Sequence, residues 1–242
     1  MVDKKIIQKS INTAILKCSK PKSSSNYNTS LPMDIEDINL DDFIEDSYSN
    51  HLMDEQIKLQ EEKVSFSDAE LSDLTSYFGY NFKFINGLIY ESKKFLKEWG
   101  GGSIEKMWRK KLPSVKRNLD SAIAKSIPLQ QNTRLYRRGK FDITLDVGDT
   151  GVWEGYTSTS YSSSGTTSIG GGDWDIEIFA LKGVKGINAN ANTKRYSDLY
   201  KSEITKPLTN HTNEEELLLG RNTKYTVLSV DEKNHEASVV VF

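Results

Sequence analysis

The apolar period of this chain changes once, and that change narrows the possible fold more than any other feature. Between Phe66 and Ile127 large apolar side chains recur every three or four residues, as on helices packed by one face. From Arg134 onward they alternate or run in short blocks: "RLYRRG", "GYTSTS", "WDIEIFAL", "EEELLLG", "KYTVLSV" and "EASVVVF", separated by glycine, asparagine and charged turns. Helices first and strands after exclude an alternating parallel sheet. They predict an α+β domain, a helical layer followed by a β core.

Local signals place the helices. Ser67 with Glu70 three residues on is a capping-box pattern, and Leu71, Leu74 and Phe78 then share a face. Asn81 opens a second helix carrying Phe84, Ile85, Leu88 and Ile89. "GGGS" (Gly100–Ser103) punctuates, with Ser103 as cap of a short helix through Met107 and Trp108. A last helix holds Val115, Leu119, Ile123 and Ile127, and Pro128 ends it. The triple glycine lacks the following Gly-Lys-Ser/Thr of a phosphate loop and reads as a connector.

Residues 1–65 have a different texture. "KPKSSSNYNTSL" (Lys20–Leu31) has linker composition, and Met33–Asn50 carries acids and apolar residues without one Lys or Arg. This stretch reads as an acidic, partly disordered extension dispensable for catalysis. The sharper reading is a segment that folds on a basic partner through Ile35, Ile38, Phe43 and Ile44. The domain itself is expected over residues 66–242.

Composition removes several function classes. A net charge of −2 over 242 residues gives no general attraction to nucleic acid. A single cysteine, Cys18, cannot form an internal disulfide, and His51, His211 and His235 show no metal spacing. No metal is expected. No apolar run reaches spanning length and the N-terminus is not a clean signal peptide, so no membrane partner is expected.

Three small features in the strand-rich half carry chemistry. Arg137 sits in an apolar strand beside Leu135-Tyr136, where its planar fork suits a diphosphate or carboxylate; an edge-strand ion pair is the plain alternative. Ser158-Thr159-Ser160 lines a strand with small hydroxyls before a serine–glycine loop, where a core strand would show valine and isoleucine. In "NEEELLLG", strand alternation puts Glu214 and Glu216 on one face and Glu215 on the other. Leu217–Leu219 mark entry into a two-sided core, so Glu216 stands where solvent ends. A carboxylate there needs a donor or a task.

The order Arg, Ser-Thr-Ser, Glu-x-Glu resembles the R-S-E class of mono-ADP-ribosyltransferases, the bacterial exotoxins and phage enzymes that modify host proteins. "LSDLTSYFGYNFKFINGLI" is similar to that family's helical lead-in, with Ile85-Asn86-Gly87-Leu88-Ile89 as its second helix. "NLDSAIAKSIPLQQNTRLYRRG" resembles its last helix and arginine strand, and "DVGDTGVWEGYTSTS" its approach to the serine motif. "GRNTKYTVLSV" resembles the closing strand. The resemblance covers residues 66–242. It implies a split two-sheet β core with an NAD cleft, NAD as substrate without metal, and a target protein modified on arginine by a monomer. It implies phosphate binding by Arg137, positioning of the catalytic glutamate and the ribose by Ser158, stabilisation of the cation by Glu216, and orientation of the acceptor guanidinium by Glu214. In the family, Glu-x-Glu accompanies arginine as acceptor and Gln-x-Glu asparagine.

One departure stands out. Relatives place an aromatic and an arginine in the loop after Ser-Thr-Ser, and Ser162–Gly172 contains neither. Tyr161 or Trp174 is the substitute expected for the aromatic, and Arg138 for the phosphate contact. Two other functions are consistent with the pattern, an NAD glycohydrolase and an inactive relative that only binds. The expected place of action is the cytoplasm of the producing cell or of a target host cell, reached by a non-classical route.

Overall fold

The computed structural model describes residues 39–43, 46–167, 172–193 and 206–242. Among the described residues, five α-helices precede ten strands: α1 (Asp46–Lys63), α2 (Asp68–Ser76), α3 (Phe82–Ile89), α4 (Lys93–Trp99) and α5 (Ser103–Lys125), then β1 (Thr133–Gly139), β2 (Thr150–Trp153), β3 (Thr157–Ser160), β4 (Trp174–Ala180), β5 (Gly186–Asn188), β6 (Asn192–Thr193), β7 (Lys206–Pro207), β8 (Glu216–Leu219), β9 (Thr223–Asp231) and β10 (Glu236–Val241). The class is α+β, as the single change of period predicts.

Eight strands form a sheet of order β2-β9-β10-β4-β1-β3-β8-β5, and β6 pairs with β7 separately. The sheet is pinched in the middle. β1 and β4 pair over seven residues, whereas β1 and β3 share only Tyr136 opposite Ser160. The split therefore falls between the arginine strand and the serine strand.

Alternation decides which core each side chain joins. In β4, Ile176, Ile178 and Ala180 enter one cluster with Leu135, Tyr161, Val227 and Val239. Phe179 points the other way, to Leu181, Leu228 and Val240. In β8, Leu217 and Leu219 join the first of these clusters, and Leu218 joins the helical core with Leu71, Leu74, Ile85 and Leu119. The triple leucine of β8 thus serves two cores, as its sequence context predicts.

The capping box of α2 forms as expected: Ser67 N–H donates to the Glu70 carboxylate at 2.7 Å, and Glu70 N–H to the Ser67 hydroxyl at 3.3 Å. Glu70 also accepts from Lys125 at 2.7 Å and Ser121 at 2.6 Å, tying α2 to α5. Burial by itself would raise the Glu70 carboxyl. Lys125, Ser121 and Ser67 together hold it down to about 2.

Three expectations need correction. The short helix and the last helix are one 23-residue element, α5, running through Pro113. Pro113 is exposed, so the Arg109 carbonyl it leaves without an N–H can turn to water. Gly102 occupies the cap position with Ser103 as first helical residue, and the helix stops at Lys125, before Ile127. The third concerns the domain's start. Helix α1, placed by composition in an extension, packs on the β core through Leu52, Gln56 and Gln60. Gln60 exchanges two hydrogen bonds with the Asn188 backbone, at 3.2 and 2.9 Å. Upstream, Leu40 and Phe43 are buried, with the Phe43 ring edge-on to Phe179 at 5.1 Å. Phe43 thus packs within its own chain; Ile35, Ile38, Ile44 and the linker lie outside the described residues.

Candidate active site

The site stands at the pinch. β3 presents Ser158 opposite Leu218, on the sheet face turned to the helical core, and Ser160 opposite Glu216. Glu216, first residue of β8, is 5% exposed. The Ser158 side chain lies close enough to the Glu216 carboxylate and the Tyr77 hydroxyl to affect the ionisation of both. Across the split, Arg137 donates through Nη1 to the Ser158 carbonyl at 2.6 Å. Gly139 makes room for this guanidinium, since a Cβ there would lie 2.8 Å from Arg137 Nε. Arg137, Ser158 and Glu216, three motifs far apart in the chain, are thereby brought together.

Burial sets the electrostatics. Desolvation pushes the Glu216 carboxyl up to about 7; the Glu214 charge adds to this, while the Ser158 side chain and Arg137 oppose it. Desolvation also lowers Arg137, against the influence of Tyr77, Tyr90 and Glu216. Tyr77 is driven upward by burial and then by Glu216, so its hydroxyl stays protonated.

Glu214 reaches the site by a different route from the one its spacing suggests. The strand begins only at Glu216. Glu214 closes a 3-10 turn, Thr212–Glu214, and Glu215 takes a left-handed conformation at φ 48°. The turn still leaves Glu214 close enough for its charge to raise Glu216. Its own carboxyl is raised by partial burial, with His211, 3.8 Å away, pulling the other way.

Two further expected residues are elsewhere. Tyr161 is fully buried in the core beneath the sheet. Arg138 is half-exposed, 3.7 Å from Asp175 on the neighbouring strand. Trp174 is also packed away, its ring against Phe141 and His235. Parity explains the first two, because each lies an odd number of residues from its motif residue and so faces the other side.

Two residues given no role by the sequence complete the site. A π-helical turn, Tyr77–Asn81, opened by Gly79, sends Tyr77 inward and leaves Tyr80 exposed. Tyr77 donates to the Tyr156 carbonyl at 3.2 Å and accepts from Asn86 Nδ2 at 3.0 Å. Asn86 holds both backbone groups of Tyr156, donating to its carbonyl at 2.9 Å and accepting from its N–H at 3.1 Å. The Tyr156 hydroxyl in turn donates to Asp120 at 2.8 Å, which Arg221 grips bidentately. The entry to β3 is thus fixed at both ends. The available signal was an asparagine in an otherwise apolar helical stripe.

The remaining hydroxyls of the serine strand have structural tasks. Thr159 donates to the Leu217 carbonyl at 2.8 Å, and the Ser160 hydroxyl accepts from Ser162 N–H at 3.1 Å. Of the loop that follows, residues 168–171 lie outside the described residues. Among the described residues no cluster of His, Cys, Asp or Glu could hold a metal ion.

An α+β fold with a split sheet, and Arg, Ser-Thr-Ser and Glu-x-Glu converging at the split, defines a mono-ADP-ribosyltransferase of the R-S-E type. The family profile described as ADP-ribosyltransferase exoenzyme matches residues 45–241, and the chain belongs to that family, whose ADP-ribose donor is NAD. The match includes helix α1. Among solved structures it is similar to C3stau2 from S. aureus with NAD (TM-score 0.55, 17% identity, 83% of this chain and 97% of that one). It is also similar to Plx2a, an ADP-ribosyltransferase toxin from Paenibacillus larvae (TM-score 0.51, 18% identity, 83% and 98%). A third is exoenzyme S from Pseudomonas aeruginosa, in complex with human 14-3-3 protein beta and bound to Carba-NAD (TM-score 0.50, 18% identity, 79% and 88%). No curated protein matches the sequence.

Proposed function

We propose that this protein transfers ADP-ribose from NAD to an arginine side chain of a target protein. The observation that carries the acceptor assignment is Glu214, a half-buried carboxylate held beside Glu216 at the site's outer edge. The Vis toxin of Vibrio splendidus, 15% identical with a TM-score of 0.53, has been crystallised with agmatine, a decarboxylated arginine, which supports a guanidine acceptor for this fold.

The chemistry follows from the bond broken. When the nicotinamide–ribose bond cleaves, its electron pair leaves with nicotinamide and positive charge develops on the ribose. Arg137, partly buried with one N–H committed to Ser158, is the group to grip the diphosphate. Ser158 orients the Glu216 carboxylate, which bonds a ribose hydroxyl and faces the developing cation. Glu214 orients the incoming guanidinium and takes the proton it loses as the new N-glycosidic bond forms. The family membership supports action as an effector delivered to a host cytoplasm.

The test is nicotinamide release measured beside label transfer to agmatine and to a protein acceptor. Transfer to the guanidine supports the reading. NAD cleavage with water as sole acceptor would replace it with a glycohydrolase, and no cleavage would indicate a binding relative.

A further inference from the structure

Helix α5 carries seven Lys or Arg against two Asp or Glu, in a chain of net charge −2. Both acids are already committed, Glu105 to Arg109 at 2.6 Å and Asp120 to Arg221 at 2.8 Å. At the N-terminal half of the helix, Lys106, Lys110 and Lys111 are exposed and make no ion pair with a described residue. Beneath them lies an aromatic cluster: Phe84 stacks on Trp108 at 5.6 Å and meets Trp99 edge-on at 5.3 Å. Lys83 and Lys111 lie over this cluster, 5.5 Å from Phe84 and 5.8 Å from Trp108. Ile104 and Met107, 37% and 44% exposed, project from the same helical turns.

From this we infer that the N-terminal half of α5 binds the surface of an anionic phospholipid membrane. Charge is the first argument. Lys106 and Lys110 stand one turn apart, as do Met107 and Lys111, so two adjacent rows present ammonium groups around exposed apolar tips. The choice of cation is the second. The exposed arginine of this stretch, Arg109, is tied down by Glu105 and lies 3.9 Å from Glu91. What remains free is lysine, a point charge that suits mobile, smeared headgroups, whereas a fixed protein carboxylate is better met by an arginine fork. The third is the combination of Met107 and Ile104 with indoles just below. Shallow insertion of such side chains, with lysine stems lying along them, is how interfacial helices hold to headgroups. Among the described residues no helix is long and apolar enough to cross a membrane, so the contact is adsorption. The inference is independent of the acceptor assignment.

Vesicle flotation of the full chain tests it. The protein should float with phosphatidylcholine vesicles containing about 30 mol % phosphatidylserine, stay behind with pure phosphatidylcholine, and be released at about 0.5 M salt. Each lysine near such a surface changes partitioning by about fivefold, so Lys106→Ala with Lys110→Ala and Lys111→Ala should lower it by about a hundredfold. Met107→Gln should weaken it without changing the charge. Circular dichroism and thermal unfolding confirm that each variant is folded; these positions are exposed. Equal partitioning to neutral and anionic vesicles, or undiminished flotation of the triple variant, would overturn the inference. So would capture by an acidic polypeptide such as polyglutamate without any flotation.

Discussion

Replacing Glu216 by glutamine should make this protein more stable and inactive at once. On folding, burial takes the Glu216 carboxyl from its ordinary 4.5 to about 7, chiefly by loss of solvent and then by the nearby Glu214 charge. Between those values the folded chain keeps a proton that the unfolded chain has released. Stability therefore falls as pH rises across that window and levels off above about 7, a loss of about 3 kcal/mol at 1.36 kcal/mol per pH unit. Glutamine has the same shape and cannot ionise. The stability difference between Glu216→Gln and the parent should be constant below pH 4.5 and grow by about 3 kcal/mol by pH 8. Urea unfolding at about pH 4, 6 and 8 reads this directly, because midpoints move while slopes stay fixed. On the parent, kcat/KM for NAD should rise through about pH 7, where the free enzyme's carboxylate ionises. The variant should lose both NAD hydrolysis and transfer by orders of magnitude. A stability difference that does not change with pH would refute the burial argument. Full activity of the variant would refute the assignment of Glu216 itself.

Three other expectations follow from particular contacts. Glu214→Gln should abolish transfer to a guanidino acceptor while largely sparing NAD hydrolysis, and Glu215→Gln should leave both nearly unchanged; nicotinamide release beside label transfer separates them. Glu70→Gln should cost about 2 kcal/mol at neutral pH by removing the buried charge that Lys125 meets; because folding lowers this carboxyl, the difference should shrink as pH falls from 4.5 toward about 2 in pH-dependent unfolding. A chain beginning at Phe66 should be markedly less stable than one beginning at Asn39, since it lacks the Leu52, Gln56 and Gln60 contacts of α1, and thermal unfolding of the two compares them.

What could be read from the sequence depended on how local the signal was. The α+β division, the α2 capping box and the two-sided burial of Leu217–Leu219 rest on spacing within ten residues or so, and they stand as read. The three residues that converge at the split, proposed as the site, stand out in the sequence because each is anomalous where it sits: a guanidinium in an apolar strand, hydroxyls where valine belongs, a carboxylate at the mouth of a core. Helix α1 was not legible, because its buried positions include Gln56 and Gln60, whose amides are satisfied by strand β5 and the Pro128 carbonyl more than seventy residues away. Polarity alone counted them as solvent-facing. The continuation of α5 through Pro113 failed for a related reason. A proline is read as a break until one knows that its side of the helix faces water.

Parity is the rule that the loop departure invited one to neglect. Tyr161 and Arg138 are near Ser158 and Arg137 in the chain, and a missing aromatic and a missing arginine made them natural substitutes. On a strand, however, odd separations are opposite faces, and both residues are spent on the other side, one in a core and one beside Asp175. The groups that do enclose the site come from the helical layer, Tyr77 and Asn86, along with Tyr90, which lies close enough to Arg137 to influence its ionisation. Any contact that replaces the usual loop residues should therefore be sought on that layer. Tyr90→Ala is the direct test: if it faces the dinucleotide it should raise KM for NAD several-fold with little change in kcat, the signature of lost uniform binding. An unchanged KM would leave Arg137 as the cofactor grip that the helical layer does not supplement.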